Sequence, residues 1–310
     1  MVFSGAVFLY AFLPLTLAVY ALAPQRGRNA VLLIASLLFY AFGEPVYVFL
    51  LLLSSVSNWA LSLCIERRRG TRTAKLALAV SVLLNLGLLG FFKYADFFLT
   101  TVNGLFGLSL PLTGVRLPLG ISFYTFQAVG YLIDCYRGRH PAEKNYVRFL
   151  LFISFFPQLI QGPINRYGEM APQLTARHIW NWERTKRALF LFLFGAMKKY
   201  AIANLTAPTI AAILDGNDPK LAGSMALLAI LLYSLQQYAD FSGGIDMVLG
   251  VAQLYGIEMM PNFRQPYFST SLGDFWRRWH ISLGAWMRDY LFYPFALTKP
   301  MQRFGKWATG

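Results

Sequence analysis

One histidine of this chain stands in an unusual setting. His280 lies within Asp274-Phe275-Trp276-Arg277-Arg278-Trp279-His280-Ile281-Ser282-Leu283, where indole and guanidinium groups crowd together. Imidazole titrates near neutrality, so it can take a proton from a hydroxyl and return one to a leaving group. Read as one helix from Phe275 to Tyr290, the segment places Trp276, Trp279, Leu283, Trp286 and Tyr290 on a single apolar stripe. Asp274, Arg277, Arg278, Arg288 and Asp289 fall on the opposite side. His280 sits on the border, with Trp276 one turn before it and Gly284 one turn after, leaving space for a substrate. A basic, Trp-rich helix also serves as a plain interfacial anchor, in which the histidine is structural. His140 and His178 lie in basic polar loops and read as solvated residues.

Two further polar clusters interrupt apolar sequence. Gln236, Gln237, Tyr238, Asp240, Ser242, Gly243, Gly244 and Asp246 form one. Ionisable groups at membrane depth are costly and face a cavity or a partner, so Asp240 and Asp246 are expected to pair with Arg277, Arg278 or Arg288. The other runs from Phe155 to Tyr167, where Pro157, Gly162 and Pro163 prevent a regular helix. Gln158, Gln161, Asn165 and Arg166 there need polar surroundings, which a water-filled vestibule or a loop packed among helices would supply. Nucleophile elbows, phosphate loops, zinc spacings and dinucleotide fingerprints are all absent from the sequence. Cys64 and Cys135 have no partner at metal-ligand spacing and read as small buried residues rather than a disulfide, so no metal is expected.

The elements that must position these groups are written in the composition. Of 310 residues 56% are hydrophobic and 14% charged, and the apolar ones come in blocks. A helix crossing the hydrocarbon core needs ~20 mostly apolar residues. Phe3 to Ala23, Val46 to Ile65, Leu76 to Phe98, Leu117 to Ile133, Ala188 to Leu214 and Leu221 to Leu254 qualify, and the shorter Val31 to Phe42 joins them. The first block is read as a retained span, because Met1 to Gly5 lack the basic residues of a signal peptide. Val147 to Ile160 is short and Pro-flanked, which predicts a broken or re-entrant helix. Polar turns are expected at Gly43-Glu44-Pro45 and at Asp215 to Lys220. The fold class is therefore all-α, a polytopic membrane protein with broken helices and one interfacial amphipathic helix.

Net charge is +14, from 28 Lys and Arg against 14 Asp and Glu. The excess sits between apolar blocks, notably at Arg67 to Lys75 and Arg137 to Arg148, where cytoplasmic loops collect cations. This arrangement favours anionic lipid or an acidic cytoplasmic partner over nucleic acid. It also places the N-terminus and the Gly-Glu-Pro turn outside.

Together these segments resemble the membrane-bound O-acyltransferase family, in particular the branch of bacterial alginate O-acetyltransferases and teichoic-acid D-alanyl transfer proteins. The resemblance is carried by Leu117 to Gln127, Tyr131 to Asp134 with Tyr136-Arg137-Gly138, and Phe156 to Leu159 followed by Gly162-Pro163-Ile164 and Arg166. Asp240 to Gly243, Asn262-Phe263 with Pro266-Tyr267, and above all Asp274 to Leu283 with Trp286, Arg288, Asp289 and Tyr290 complete it. Phe39-Tyr40 with Gly43-Glu44-Pro45 is similar to the family's early turn. The resemblance implies one membrane-embedded acyltransferase domain over residues 1–310, in the bacterial inner membrane, with no bound cofactor. The donor would be acetyl-coenzyme A or an acyl carrier thioester on the cytoplasmic side, and a periplasmic acyltransferase would complete delivery to polysaccharide.

In that scheme His280 matches the first of two signature histidines and orients substrate or assists proton transfer. Arg166, Gln158, Gln161, Asn165, Asp240, Ser242 and Trp276 belong to the substrate path, and Arg277 and Arg278 shape the cytoplasmic mouth. No histidine follows His280, so the second signature residue has no counterpart and the chain reads as the N-terminal portion of such a domain. D-alanyl transfer, a transporter without covalent chemistry and an inactive remnant are the rival readings.

Overall fold

The computed structural model describes residues 3–214, 223–298, 301–302 and 305. The turn expected at Asp215 to Lys220 lies outside the described residues, as does most of the stretch from Thr298 to Lys306. Among the described residues regular structure is helical, apart from one isolated antiparallel bridge between Phe263 and Trp279.

In chain order, a wide π turn at Phe8–Phe12 enters α1 (Leu13–Leu22), followed by α2 (Arg28–Gly43), α3 (Tyr47–Arg67) and α4 (Arg72–Phe106). Next come α5 (Ile121–Arg137), α6 (Tyr146–Ser154), α7 (Phe156–Leu159) and α8 (Tyr167–Thr175). Helix α9 (Trp182–Met197) passes through a π segment at Lys198–Asn204 into α10 (Leu205–Leu214), and α11 spans Gly223–Leu254. Then follow α12 (Leu272–Arg278) and α13 (Ile281–Met287), which continues through a π turn at Arg288–Phe292 into α14 (Tyr293–Ala296). Among the described residues three stretches are long and apolar enough to cross a bilayer, namely α3, α4 and Trp182–Leu214, while Phe8–Leu22 and α2 are apolar but shorter. Their outward faces are oily. Phe49, Leu53 and Leu83 are all about two-thirds exposed, as suits side chains solvated by lipid.

The chain forms two compact groupings. The first holds the described residues of Met1–Ala23, Gln161–Pro163 and Ala176–Ser282. Here α9 and α11 touch backbone to backbone. A Cβ on Gly195 would lie 2.5 Å from the Gly243 carbonyl oxygen, and one on Gly243 would lie 2.7 Å from that of Gly195. Only glycine permits such an approach, the usual device for helix association in lipid. Tyr20 of α1 packs edge-on against Tyr255 at 5.1 Å and donates to its carbonyl at 3.1 Å.

The second grouping holds the described residues of Pro24–Ile160, Ile164–Thr175 and Leu283–Gly310. Side-chain hydrogen bonds tie its apolar helices together. Tyr131 of α5 donates to Ser62 of α3 at 3.1 Å, and the hydroxyls of Ser55 and Tyr146 lie 2.9 Å apart. The expected break within 147–160 falls at Phe155, which leaves helical geometry between α6 and α7. The freed Phe156 N–H donates to the Ser36 hydroxyl at 3.0 Å, so the break stays satisfied inside the core.

The expected single helix from Phe275 to Tyr290 is not formed. Trp279 is extended and His280 adopts a left-handed φ of +47°, so α12 ends and α13 begins afresh. The continuous stripe and the placement of Trp276 and Gly284 one turn either side of the imidazole therefore fail. The cause lies outside the local pattern, in the segment 262–264.

Candidate functional site

His280 sits in the first grouping, in a shell built from three parts of the chain. Phe241 of α11 meets the imidazole edge-on at 5.0 Å. Phe263 packs against both Phe241 and Trp279, at 5.0 and 5.1 Å. Tyr238 and Tyr267 extend the cluster, and Phe275 stacks on Trp279 at 5.6 Å. With Trp276, which meets Phe275 edge-on at 5.4 Å, eight aromatic rings including the imidazole form one contact network among the described residues. Burial in it favours the uncharged ring and holds the His280 pKa below its ordinary value. Among the described residues Nδ1 is buried with no hydrogen-bond partner. An imidazole sheltered in this way can accept a proton from a hydroxyl.

Local sequence explains α12. Ser271 caps it by accepting the Asp274 N–H at 3.1 Å, and Asp274 then holds Arg278 at 2.8 Å with Arg277 further off at 4.0 Å. Acid in the first turn and base in the last also suit the helix dipole. Trp276, at the rim of that network, is 58% exposed.

The expected pairing of Asp240 and Asp246 with arginines of the Trp-rich segment is overturned. Asp240 pairs with Lys199, and Asp246 with Lys198, both from the π segment that follows α9. Arg277 and Arg278 are engaged by Asp274, and Arg288 by its neighbour Asp289. Lys198 is 8% exposed, donates to Ser242 at 3.1 Å and lies over the rings of Phe194 and Tyr238. Two lysines in the middle of an apolar block were the available signal for these partners. Gln161 lies against Gly244, where a Cβ would stand 2.3 Å from its Nε2.

The remaining candidates lie in the second grouping. Gln158 is fully buried, donates to the Phe152 carbonyl and accepts from Asn165 at 2.9 Å. Both ends of its amide are thus committed to protein. Arg166 forms an ion pair with Asp289 and lies over Tyr290, which donates to Asp134 at 2.6 Å. Although its partial burial opposes ionisation, the hydrogen bonds from Arg166 and Arg288 hold the Asp289 carboxyl below its usual range. Trp286 donates its indole N–H to the Phe126 carbonyl at 2.8 Å.

Neither remaining histidine is loosely solvated as expected. His140 stacks on Tyr131 at 5.2 Å, with Nδ1 3.0 Å from the Pro141 carbonyl, and lines a cleft of about 950 Å³ with Glu143, Lys144, Arg148 and Tyr167. His178 packs against Gly256, where a Cβ would lie 2.5 Å from Nδ1. Among the described residues no group of three His, Cys, Asp or Glu side chains is placed to hold a metal ion.

A helical membrane protein with a sheltered, neutral imidazole at a helix break is the class these features define. A sequence model of the membrane-bound O-acyltransferase family matches residues 139–310, and the chain belongs to that family. It is 41% identical to the "probable alginate O-acetylase" of Azotobacter vinelandii over 94% of this chain and 59% of that protein. It is 35% identical to the peptidoglycan O-acetyltransferase of Helicobacter pylori over 95% of this chain and 62% of that protein. The teichoic acid D-alanyltransferase of Bacillus subtilis is 34% identical over 57% of this chain and 45% of its own length. The chain thus spans roughly three-fifths of the length of the O-acetylating relatives.

Proposed function

We propose that this chain is part of an O-acyltransferase that passes an acetyl group from a thioester on the cytoplasmic side towards a hydroxyl of an extracytoplasmic polysaccharide. The carrying observation is the His280 imidazole, sheltered in an aromatic shell at a break between two helices in a protein of this family. Acetyl is favoured over D-alanyl because the O-acetylating relatives align along nearly the whole chain, the D-alanyl one along little more than half.

The chemistry is addition and elimination. A base takes the proton of the acceptor hydroxyl as its oxygen bonds to the thioester carbonyl carbon. The tetrahedral oxyanion then collapses, breaking the carbon–sulfur bond, and the thiolate leaves with a proton. His280 takes part in that proton traffic or orients the acceptor. Gln158, Asn165 and Arg166 are engaged within the protein and shape the path rather than bind substrate through free polar ends. Acetyl-coenzyme A or an acylated carrier supplies the thioester, and a separate periplasmic acyltransferase receives the group. The excess of Lys and Arg between the apolar blocks supports cytoplasmic basic loops and an N-terminus outside, and the family supports a bacterial inner membrane as the location.

The test is transfer of radiolabelled acetyl from acetyl-coenzyme A to polymer, in inverted membrane vesicles carrying the full-length protein and its His280→Asn variant. Label should reach polymer with the parent and fall to background with the variant. Parental transfer by the variant would remove His280 from the chemistry. Substrate flux without acylated product from the parent would favour a transporter.

A further inference from the structure

The segment that follows α11 does more than lead into α12. A helix running unbroken from α12 into α13 would bond the Ser282 N–H to the Arg278 carbonyl, four residues back. Both groups are instead taken by 262–264. The Arg278 carbonyl accepts from the Arg264 N–H at 2.9 Å, and the Ser282 N–H donates to Oδ1 of Asn262 at 2.9 Å. The Ile281 N–H, also released by the break, donates to the Asn262 carbonyl at 3.0 Å. Asn262 therefore makes two of the three bonds that bracket His280, one through its backbone and one through its side chain.

Asn262 is 1% exposed, and its Nδ2 has no hydrogen-bond partner among the described residues. An amide left half-satisfied in such a place costs about 1–3 kcal/mol. An apolar residue of similar size would avoid that cost, so the side chain is explained by the one bond it makes. His280 itself is strained. A non-glycine residue in the left-handed region persists only where its surroundings over-determine it.

We propose that Asn262 is the positioning residue for His280: by holding Ile281 and Ser282 it fixes the break and keeps the imidazole against Phe241 in the aromatic shell. Without the clamp, Ser282 and Arg278 recover their helical bond, Trp279 and His280 wind into one helix, and the ring turns out of its shell. The catalytic consequence rests on the acyl-transfer reading. The placement of the ring does not.

The test separates the two. The full-length protein and its Asn262→Ala, Ser282→Pro and Ser282→Ala variants are treated with diethyl pyrocarbonate, which attacks neutral imidazole, and modification of each histidine is followed by peptide mass mapping across pH. His140 and His178 serve as internal references for folding. Ser282→Pro is the control for the break, since it removes the N–H and so cannot close the helical bond to Arg278. Proline already occupies the second position of α1, α7 and α14, as Pro14, Pro157 and Pro294. In Asn262→Ala the His280 midpoint should rise towards the ordinary histidine value, while Ser282→Pro and the reference histidines keep their parental profiles. Ser282→Ala, which keeps the N–H, should match the parent. In the acetyl-transfer assay Asn262→Ala should lose kcat roughly ten- to a hundredfold with KM little changed. A parental His280 profile in Asn262→Ala, or an equal shift in Ser282→Pro, would overturn the proposal. A shifted profile with undiminished transfer would instead leave the clamp standing and remove His280 from the chemistry.

Discussion

Asn58 of α3 and Asn85 of α4 exchange their side-chain amides, Asn58 donating at 3.2 Å and Asn85 donating in return at 2.6 Å. Both are at least 95% buried, between two helices that cross the membrane. Lipid offers no competing partner, yet such interhelical bonds measure only ~0.6–2 kcal/mol because the separated helices find others. Asn85→Leu should lower stability in detergent by an amount in that range, seen as a reduced melting temperature, and a second change, Asn58→Leu, should add little or recover part of the loss. Additive losses in the double variant would mean that the two amides act independently.

Asp289 and Arg166 make the stability of the second grouping depend on pH. The carboxyl is held below its usual range in the folded state, so its contribution is complete above the ordinary carboxylate pKa and is lost as pH falls through the depressed one. Asp289→Asn should flatten the acid limb of the stability profile below about pH 4. At pH 7 it should cost about 1–2 kcal/mol, less than the loss of a sealed pair, because the guanidinium remains 26% exposed. Melting curves at pH 7 and pH 4 check both statements.

His280 works in the opposite sense to a histidine that gains an anionic partner. Burial lowers its folded pKa, so below about pH 6.5 the unfolded chain binds a proton that the folded one resists. Its contribution to stability is present above that pH and is lost as pH falls. The acid limb of the kcat/KM profile should have its midpoint below 6.5, the ordinary histidine value. Asn is the informative replacement, since it tolerates left-handed φ whereas Ala adds backbone strain to loss of the ring. His280→Asn should cut kcat by about a hundredfold or more with normal yield of folded protein.

Lys198 is the charge whose loss should be felt most. Removing it leaves the Asp246 carboxylate at the α9–α11 crossing with no cation, a change that costs about 3–5 kcal/mol in buried pairs. Lys198→Met should therefore abolish recovery of folded protein, and adding Asp246→Leu should restore much of it. Failure of the second change to help would show that Lys198 acts through the Phe194 and Tyr238 rings instead.

Hydropathy located the helices because a spanning segment has to be oily whatever it packs against. Their ends were less legible. Leu76 to Phe98 becomes α4 at Arg72–Phe106, since helix continues past the apolar window wherever the backbone bonds are worth making. The break at Phe155 was visible in Pro157 and the residues after it, a local cause. The break at Trp279–His280 was not, because its cause is three hydrogen bonds from 262–264, and the intervening residues fit a helical stripe. Asn262 was read as part of a family resemblance with no role attached, since an asparagine's partners are invisible in sequence. The pairing of Asp240 and Asp246 was assigned to the nearest dense run of arginines, whereas Lys198 and Lys199 reach them from a helix packed alongside.

The length of α4 carries one more consequence. Thirty-five residues make a rod about 52 Å long, against a hydrocarbon core of ~30 Å. Tilt alone would have to reach roughly 55° to submerge it, beyond the observed range of 0–40°, so about two to four turns must stand clear of the acyl chains. The end carrying Asp96 is the fitting one. Its carboxylate gathers the backbone N–H groups of Thr113 and Gly114 and the Thr113 hydroxyl, folding the returning chain against the rod. Phe97, Phe98, Leu105 and Phe106 remain uncovered along it. The Asp96 collar and the exposed aromatic side chains beside it thus mark an end of α4 suited to the headgroup level rather than to the acyl chains.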